Sequence, residues 1–435
     1  MGQRFNLRSR LRQPPGPRRR LAALLLVALG ATATFPGMAG AATFAETLEQ
    51  AWAPRAEALA ARRERATAEL EAARSLLPGA PSLKLGGRID ALAQRGGERE
   101  WEAELAAPLW WPGQRGQQQA AAQTEQVLEL RHQRLERWQL AGELRETWWT
   151  LALAEADEAA AADRLTQADS LQQDVQRRVD AGDLAALDAH LAGIAQRDAA
   201  VEQRRSRLAR VAAERQFTAL SAGAPRPRAA EELPPPLAVN TAAATASSSV
   251  FDPESDGPGA DHPLLEAGQA RLQLAQARLA LAQTEGREAP ELSLGLTRER
   301  GAALEPWQNS ARVALRWPLG DDSRQRPRQR AAEAEVAEAA LALDQTRRQQ
   351  AAALATAHAE LQEARRMALL QQERDALAAE ALHWTRQAFQ AGQFDLPTLL
   401  RAQAEAASAR AQAQRARLEA DRAVSRLLQT LGWTP

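Results

Sequence analysis

Two periodicities alternate along the chain. In one, every second residue is apolar: Leu83, Leu85, Ile89 and Ala91 interleave with Ser82, Lys84, Arg88 and Asp90, and Trp101, Ala103, Leu105 and Leu109 interleave with Glu100, Glu102 and Glu104. Farther along, Leu292, Leu294 and Leu296 oppose Ser293 and Thr297, and Trp307, Ala311, Val313, Leu315 and Trp317 oppose Gln308, Ser310, Arg312 and Arg316. Strand side chains alternate between faces, so these segments predict four amphipathic strands, about 82–92, 100–110, 291–298 and 307–317. In the other pattern apolar residues step by three or four, as in Leu165, Ala168, Leu171, Val175 and Val179, or Ala420, Val424, Leu427 and Leu431. That is the stripe of a helix with one buried side. Residues 113–180 contain no Pro and predict one helix, about 100 Å long at about 1.5 Å per residue. A second such run, from Arg328 to Gln390, has neither Pro nor Gly.

The pattern occurs twice. "APSLKLGGRID" from Ala80 and "APELSLGL" from Ala289 each open a pair of strands, and each pair ends in Trp-Pro, at Trp111–Pro112 and Trp317–Pro318. A long helical run follows in each case. It is interrupted at Ala-Gly, in "RVDAGDLAALDAH" and "AFQAGQFDLPTLLRAQ", and resumes at once as a returning helix. The two glycines, Gly182 and Gly392, are 210 residues apart. Such self-similarity marks a duplicated unit: helix, strand, strand, long helix, tight turn, helix. The organisation predicted is a leader over 1–41, a first repeat over 42–220 with its turn at about 180–184, a Pro-, Ala- and Ser-rich linker over 221–260, and a second repeat over 261–435 with its turn at about 390–395.

Composition narrows the reading. Aromatic residues make up only 4% of the 435 residues and Tyr is absent, while Ala is abundant and charged residues reach 25%. That suits long helices in close contact better than a bulky globular core. The formal net charge of zero hides an asymmetry: residues 1–41 hold seven Arg and no acid, leaving 48 basic against 55 acidic residues in the remainder. No basic domain is left to bind nucleic acid. The Arg-rich start runs into "LAALLLVALGATA" and then Ala39–Gly40–Ala41, the three parts of a secretory signal peptide, with cleavage expected after Ala41. No other segment has about 18 consecutive apolar residues, so no transmembrane helix is expected. Without Cys, disulfides, thiolate metal sites and lipidation at an N-terminal Cys are excluded.

For an exported chain, strands of about ten residues have the length that crosses a bilayer at a tilt. Trp101, Trp110, Trp111, Trp307 and Trp317 fall near strand ends, where membrane-interface aromatics sit. A soluble sheet solvated on one face has the same alternation. Four strands cannot close a barrel, and an open edge in lipid leaves backbone groups unpaired, so a membrane reading requires oligomerisation.

With "HPLLEAGQARLQLAQARLALAQ", the junctions "APLWWPGQRGQ" and "LRWPLGDDSRQ" and the two Ala-Gly hairpins in order, the chain resembles the TolC family of outer-membrane efflux proteins over about residues 44–220 and 261–433. "RETWWTLALAEADEAAAADRL" and His262–Pro263 are similar to the outer-membrane subunits of cation (heavy-metal) efflux systems. The resemblance implies a mainly α protein with a small membrane β-barrel: a homotrimer with a twelve-strand β-barrel, four strands per protomer, in the outer membrane of a Gram-negative bacterium. A long α-helical barrel, a coiled coil, reaches into the periplasm. It implies a passive exit duct that meets a periplasmic adaptor protein and an inner-membrane pump of the RND type. The tip residues Gly182, Asp183, Leu184, Gly392, Gln393 and Phe394 become the expected adaptor-docking set. Two departures stand out: relatives often carry an N-terminal lipidated Cys, absent here, and some carry Asp rings before the second tip, where "HWTRQAFQ" has no acid and Glu380 and Asp375 are the nearest upstream.

Strand alternation predicts a barrel lumen lined by Lys84, Arg88, Asp90, Glu100, Glu102, Glu104, Arg312 and Arg316. Glu100, Glu102 and Glu104 form a ladder that threefold symmetry would turn into acidic rings, which favour cations. Metal cations are the expected cargo, with the pump choosing them. No catalytic set emerges and no cofactor is implied. His132, His190, His262, His358 and His383 are scattered, Asp321–Asp322 read as a helix N-terminal feature, and no phosphate-binding glycine pattern appears. Two alternatives stand beside a metal-efflux duct. One is the exit duct of a type I protein secretion system or multidrug pump; the other is a soluble periplasmic coiled-coil protein.

Overall fold

The computed structural model describes residues 43–89, 97–227, 261–284, 288–319 and 325–434. The predicted signal peptide, Asp90, Asp321–Asp322 and linker residues 228–260 lie outside the described residues.

Each half follows the predicted order. The first comprises α1 (Phe44–Ala73), β1 (Ser82–Ile89), β2 (Arg99–Pro108), α2 (Gln114–Asp180) and α3 (Ala186–Leu220). The second comprises α4 (Pro263–Thr284), β3 (Glu291–Arg300), β4 (Gln308–Arg316), α5 (Gln325–Gln390) and α6 (Leu396–Thr430). The long helices have 67 residues in α2 and 66 in α5, each about 100 Å at about 1.5 Å per residue. Among the described residues four strands form one antiparallel sheet in the order β1-β2-β3-β4, so β2 and β3 join the repeats and β1 and β4 are free edges.

The helical core is built on small residues. Ala121, Ala122, Ala141 and Ala161 of α2, Ala192 and Ala199 of α3, Ala339 and Ala357 of α5, and Ala409 and Ala423 of α6 are all buried. Ala at these positions lets the helix axes approach closely, and larger side chains concentrate where several helices meet. The main cluster joins Phe44 and Leu48 of α1 to Leu140, Leu144, Trp148 and Trp149 of α2 and Phe217 of α3. Full burial of such a side chain contributes about 1.5–3 kcal/mol. The start of the predicted linker packs here too: Trp148 Nε1 donates to the Pro227 carbonyl at 3.0 Å, the Arg226 guanidinium lies 4.8 Å from the Trp148 ring centre, and Thr47 Oγ1 donates to the Pro225 carbonyl at 3.3 Å.

Polar contacts tie the repeats together. Glu266 of α4 accepts from Arg131 at 3.2 Å and Arg134 at 2.8 Å, both on α2. His262 is buried at the start of α4; its Nδ1 accepts from the Leu264 amide at 3.2 Å and its ring packs edge-on against Trp138 with centres 5.1 Å apart. Burial holds the His262 imidazole below the usual histidine range, against a hydrogen bond with Thr430 that acts the other way. Glu146 of α2 accepts from Arg422 and Arg426 of α6, at 3.2 and 2.9 Å. Burial works to raise the Glu146 carboxyl, but the hydrogen bonds from Arg426 and Arg422 outweigh it and hold the carboxyl below its ordinary range.

A carboxylate held low stabilises the fold fully above its unfolded value of about 4.3 and loses that contribution as pH falls through the depressed folded value. Replacement of Glu146 by Gln is therefore expected to lower the unfolding temperature at neutral pH and to flatten its decline between about pH 5 and 3. Thermal melts of both proteins across that window test this; parallel curves would refute it.

Candidate functional site

Directly opposed residues of an antiparallel pair share a face. The register sets Lys84 opposite Glu104, Arg88 opposite Glu100, and Glu102 opposite both Gly86 and Thr297. Arg312 stands opposite Gly295 and Arg316 opposite Glu291. Lys84, Arg88, Glu100, Glu102, Glu104, Arg312 and Arg316 thus lie on one face, as their alternation required. The sequence reading missed Glu291 and Glu299, which belong to the same face; extending the alternation two residues either way from Ser293 and Thr297 reaches them. The described part of this face carries four cations and five carboxylates. The acidic ladder is not free-standing: Lys84 Nζ lies 4.0 Å from Glu104, Arg316 lies 3.9 Å from Glu291, and Glu102 alone of the three ladder residues has no cation directly opposite.

The other face is apolar and bare. Leu85 is 73% exposed, Leu83 65%, Leu296 66% and Val313 71%. Along β3 the leucines are the exposed positions and the polar residues between them are partly shielded, the reverse of a soluble sheet covering a core. Tryptophans mark both ends of the strands. Trp111 and Trp317, from the two Trp-Pro junctions, meet edge-to-face at 4.8 Å beside the helices, and Trp110 Nε1 donates to the Ser75 carbonyl at 3.3 Å. Trp101 lies near the far end of β2 on the apolar face, over Gly87, and Trp307 lies in the far β3–β4 turn.

The second feature is the pair of helical turns at the opposite extremity. Each is closed identically. Asp183 N donates to Arg178 O at 2.8 Å and Gly182 N to Val179 O at 3.0 Å; Gln393 N donates to Ala388 O at 2.9 Å and Gly392 N to Phe389 O at 3.1 Å. This is the Schellman closure, with its left-handed residue at Gly182 (φ +83°) and Gly392 (φ +71°). The returning helices start differently: the Asp395 carboxylate caps α6 by accepting from Thr398 N at 3.1 Å, whereas at the first turn the Asp188 side chain accepts from Ala185 N at 3.2 Å. The two hairpins pack on each other through Val175, Ala192, Phe389, Leu396 and Leu399. Gly182, Asp183, Gly392, Gln393 and Phe394 stay exposed at the tips, while Leu184 turns partly into this shared core.

Leading away from the tips, α3 exposes Leu187, Ile194, Val201 and Leu208, and α5 exposes Leu370, Leu377 and Trp384. Both sets repeat every seven residues, the spacing of a coiled-coil seam, and neither seam is covered by the described residues. A heptad count of apolar residues would have found them; the sequence reading followed the buried stripes instead. The segments most similar to cation-efflux subunits turn out to be packing elements, since Trp148, Trp149 and His262 are all buried. Among the described residues no three His, Cys, Asp or Glu side chains converge to hold a metal ion, and no helix is long and apolar enough to cross a membrane.

Residues 260–433, the second repeat, match the family described as outer membrane efflux protein. Among curated proteins none matches the chain. Solved structures share the fold along most of its length. CusC, described for its folding and transmembrane channel formation, aligns with a TM-score of 0.71 at 15% identity, over 90% of this chain and 92% of that one. The outer-membrane channel OprN aligns at 0.70 and 18% identity, over 89% of each chain. The outer membrane protein VceC of Vibrio cholerae aligns at 0.69 and 15%, over 89% of this chain and 96% of that one. The architecture is that of these outer-membrane channels.

Beyond Gly392 itself and its two chain neighbours, no atom lies within 4 Å of where a Cβ there would stand, so substitution meets backbone strain and no clash. Gly392→Val is expected to destabilise the second hairpin by about 1–2 kcal/mol and Gly392→Asn by less. Amide hydrogen exchange of residues 385–399 reads this out; equal protection in both variants and the parent would contradict it.

Proposed function

We propose that this chain is the outer-membrane exit duct of a tripartite efflux pump, acting as a homotrimer and not as an enzyme. The observation that carries the proposal is the bare apolar face of a four-stranded sheet whose opposite face is charged and whose two edge strands are unpaired. Water exposure of that face is costly, at roughly 25 cal/mol per Å² of apolar surface. Lipid removes the cost, but only if the edges close. Three copies supply twelve strands, β4 of one protomer pairing with β1 of the next. The uncovered heptad seams of α3 and α5 support side-by-side packing of protomers in the helical part as well. A soluble coiled-coil protein would have no use for the apolar face.

In this reading the charged face lines the lumen and the six tip hairpins of the trimer meet a periplasmic adaptor, with an inner-membrane pump behind it. Gly182, Asp183, Gly392, Gln393 and Phe394 present the docking surface, and Leu184 acts by holding the hairpin rather than by contact. The mixed charge of the lumen suits a wet passage that leaves the choice of cargo to the pump. Glu102, without a cation directly opposite, gives a threefold acidic ring and a modest preference for cations, screened over about 8 Å at physiological salt; this supports metal cations as the cargo over large hydrophobic drugs.

The mature protein is expected to fractionate with the outer membrane and to run as a trimer; a soluble periplasmic monomer would end the duct reading. Deletion of the gene is expected to raise sensitivity to copper, silver or a divalent metal more than to hydrophobic drugs, and the reverse pattern would overturn the cargo alone. In planar bilayers, joint replacement of Glu100, Glu102 and Glu104 by Gln should lower cation preference without abolishing conductance. Glu102→Gln alone should account for most of that change.

A further inference from the structure

The apolar face of the sheet is interrupted at one place. At the end far from the helices the register sets Arg99 of β2 directly opposite Arg300 of β3, and Arg298 next along that face opposite Trp101. Arg298 in turn stands opposite Asn309 of β4. Like charges directly opposite one another destabilise a sheet, and their partners across the strands are about 5 Å away. Among the described residues no carboxylate forms an ion pair with Arg99, Arg298 or Arg300. Of the nearby acids, Glu100 and Glu299 face each other on the charged side, Glu98 precedes β2, and Glu305 sits in the β3–β4 turn beside Gly301. Arg298 and Arg300 both lie over the Trp307 ring, each 5.0 Å from its centre. Arg300 Nη1 reaches only the Ala303 carbonyl, at 3.5 Å, and its Nε is shielded from solvent with no acceptor.

Aromatic stacking thus holds Arg298 and Arg300 in place, and among the described residues none of the three guanidinium groups has an anion. Toward the middle of the sheet, Leu85, Gly87, Trp101, Ala103 and Leu296 line, with Arg298 and the polar residues Glu102, Thr297, Asn309 and Ser310, a cavity of about 580 Å³. A mostly apolar hollow bordered by Arg298, with Arg99 and Arg300 paired at the next position along the same face, has the shape of an amphiphile: hydrocarbon below, a multiply charged anion above. Guanidinium pairs bind phosphate through paired hydrogen bonds, and a doubly charged phosphate converts the repulsion between Arg99 and Arg300 into mutual attraction for one ligand.

We propose that Arg99, Arg298 and Arg300 bind the phosphate-bearing headgroup of an anionic membrane lipid, whose acyl chains lie along Trp101, Ala103 and Leu296. The site rests on the channel reading, in which this face meets lipid and its far rim lies at the outer leaflet. One headgroup per protomer there anchors the rim at a fixed depth and neutralises a charge pair that the strand register forces together.

The test uses the full-length assembly purified in detergent and delipidated. Diphosphoryl lipid A, its dephosphorylated form, phosphatidylethanolamine and inorganic phosphate are offered separately, and bound lipid is counted by native mass spectrometry. Diphosphoryl lipid A is expected to bind at up to three copies per trimer. Arg298→Gln should weaken it about tenfold and the triple variant Arg99→Gln, Arg298→Gln, Arg300→Gln further, as expected for losing charge-assisted hydrogen bonds. Arg298→Lys should retain part of the binding, and Arg312→Gln, on the charged face, should leave it unchanged. Equal binding by the dephosphorylated lipid, or retention of lipid A by the single and triple glutamine variants, would overturn the site. Binding of inorganic phosphate as strong as that of lipid A would show an anion site unconnected with lipid and would also overturn it. Insertion into phosphatidylethanolamine–phosphatidylglycerol bilayers separates the two levels. A wild type that inserts and conducts, but binds lipid A regardless of the arginines, loses only this site, whereas a wild type that inserts into no bilayer loses the channel reading and the site together.

Discussion

The structure depends on one unmet demand: a sheet of four strands that its own chain does not finish. Among the described residues its apolar face has no core to cover, and β1 and β4 have no strand beside them. In water the face is the problem, and in lipid the edges are, because nothing in hydrocarbon replaces a missing hydrogen bond. The proposed ring of three copies would answer both at once. The same logic reaches the helices, where apolar positions on α3 and α5 recur every seven residues and find no partner among the described residues. On the proposed function a single chain is a sector, with its buried surfaces settled and its assembly surfaces waiting.

Duplication determines how the sector is built. The two repeats are joined along the β2–β3 ladder, by the edge-on contact of Trp111 with Trp317, by the paired tips around Val175 and Leu396, and by the Glu146 network between α2 and α6. These contacts lie at three heights along an elongated body, so neither repeat can slide past the other. Between them the helices meet mostly through alanine. Alanine gives close backbone approach but little burial per residue, which explains why the large side chains gather into separate clusters instead of one continuous core.

Much of this was legible in the sequence. Period-two and period-3.6 patterns predicted every strand and long helix within a few residues, because amphipathic elements write their geometry into spacing alone. The two turns were legible from Gly182 and Gly392, since only a left-handed residue closes that kind of helix end cheaply. The charged face was legible for seven of the eight residues named; the eighth, Asp90, lies outside the described residues.

What the sequence did not reveal is which residues stand opposite one another. Alternation gave Glu100, Glu102 and Glu104 as a ladder, but only the register showed Lys84 and Arg88 across from two of them. It likewise brought Arg99 against Arg300 from positions 201 residues apart. Leu184 looked like a tip residue and proved partly a core one, and the Trp148–Trp149 pair and His262 looked distinctive and proved to be packing. The physical reason is the same throughout. Secondary structure follows from interactions over a few residues and is written locally, whereas pairing across strands and burial between helices depend on a register that no local pattern encodes.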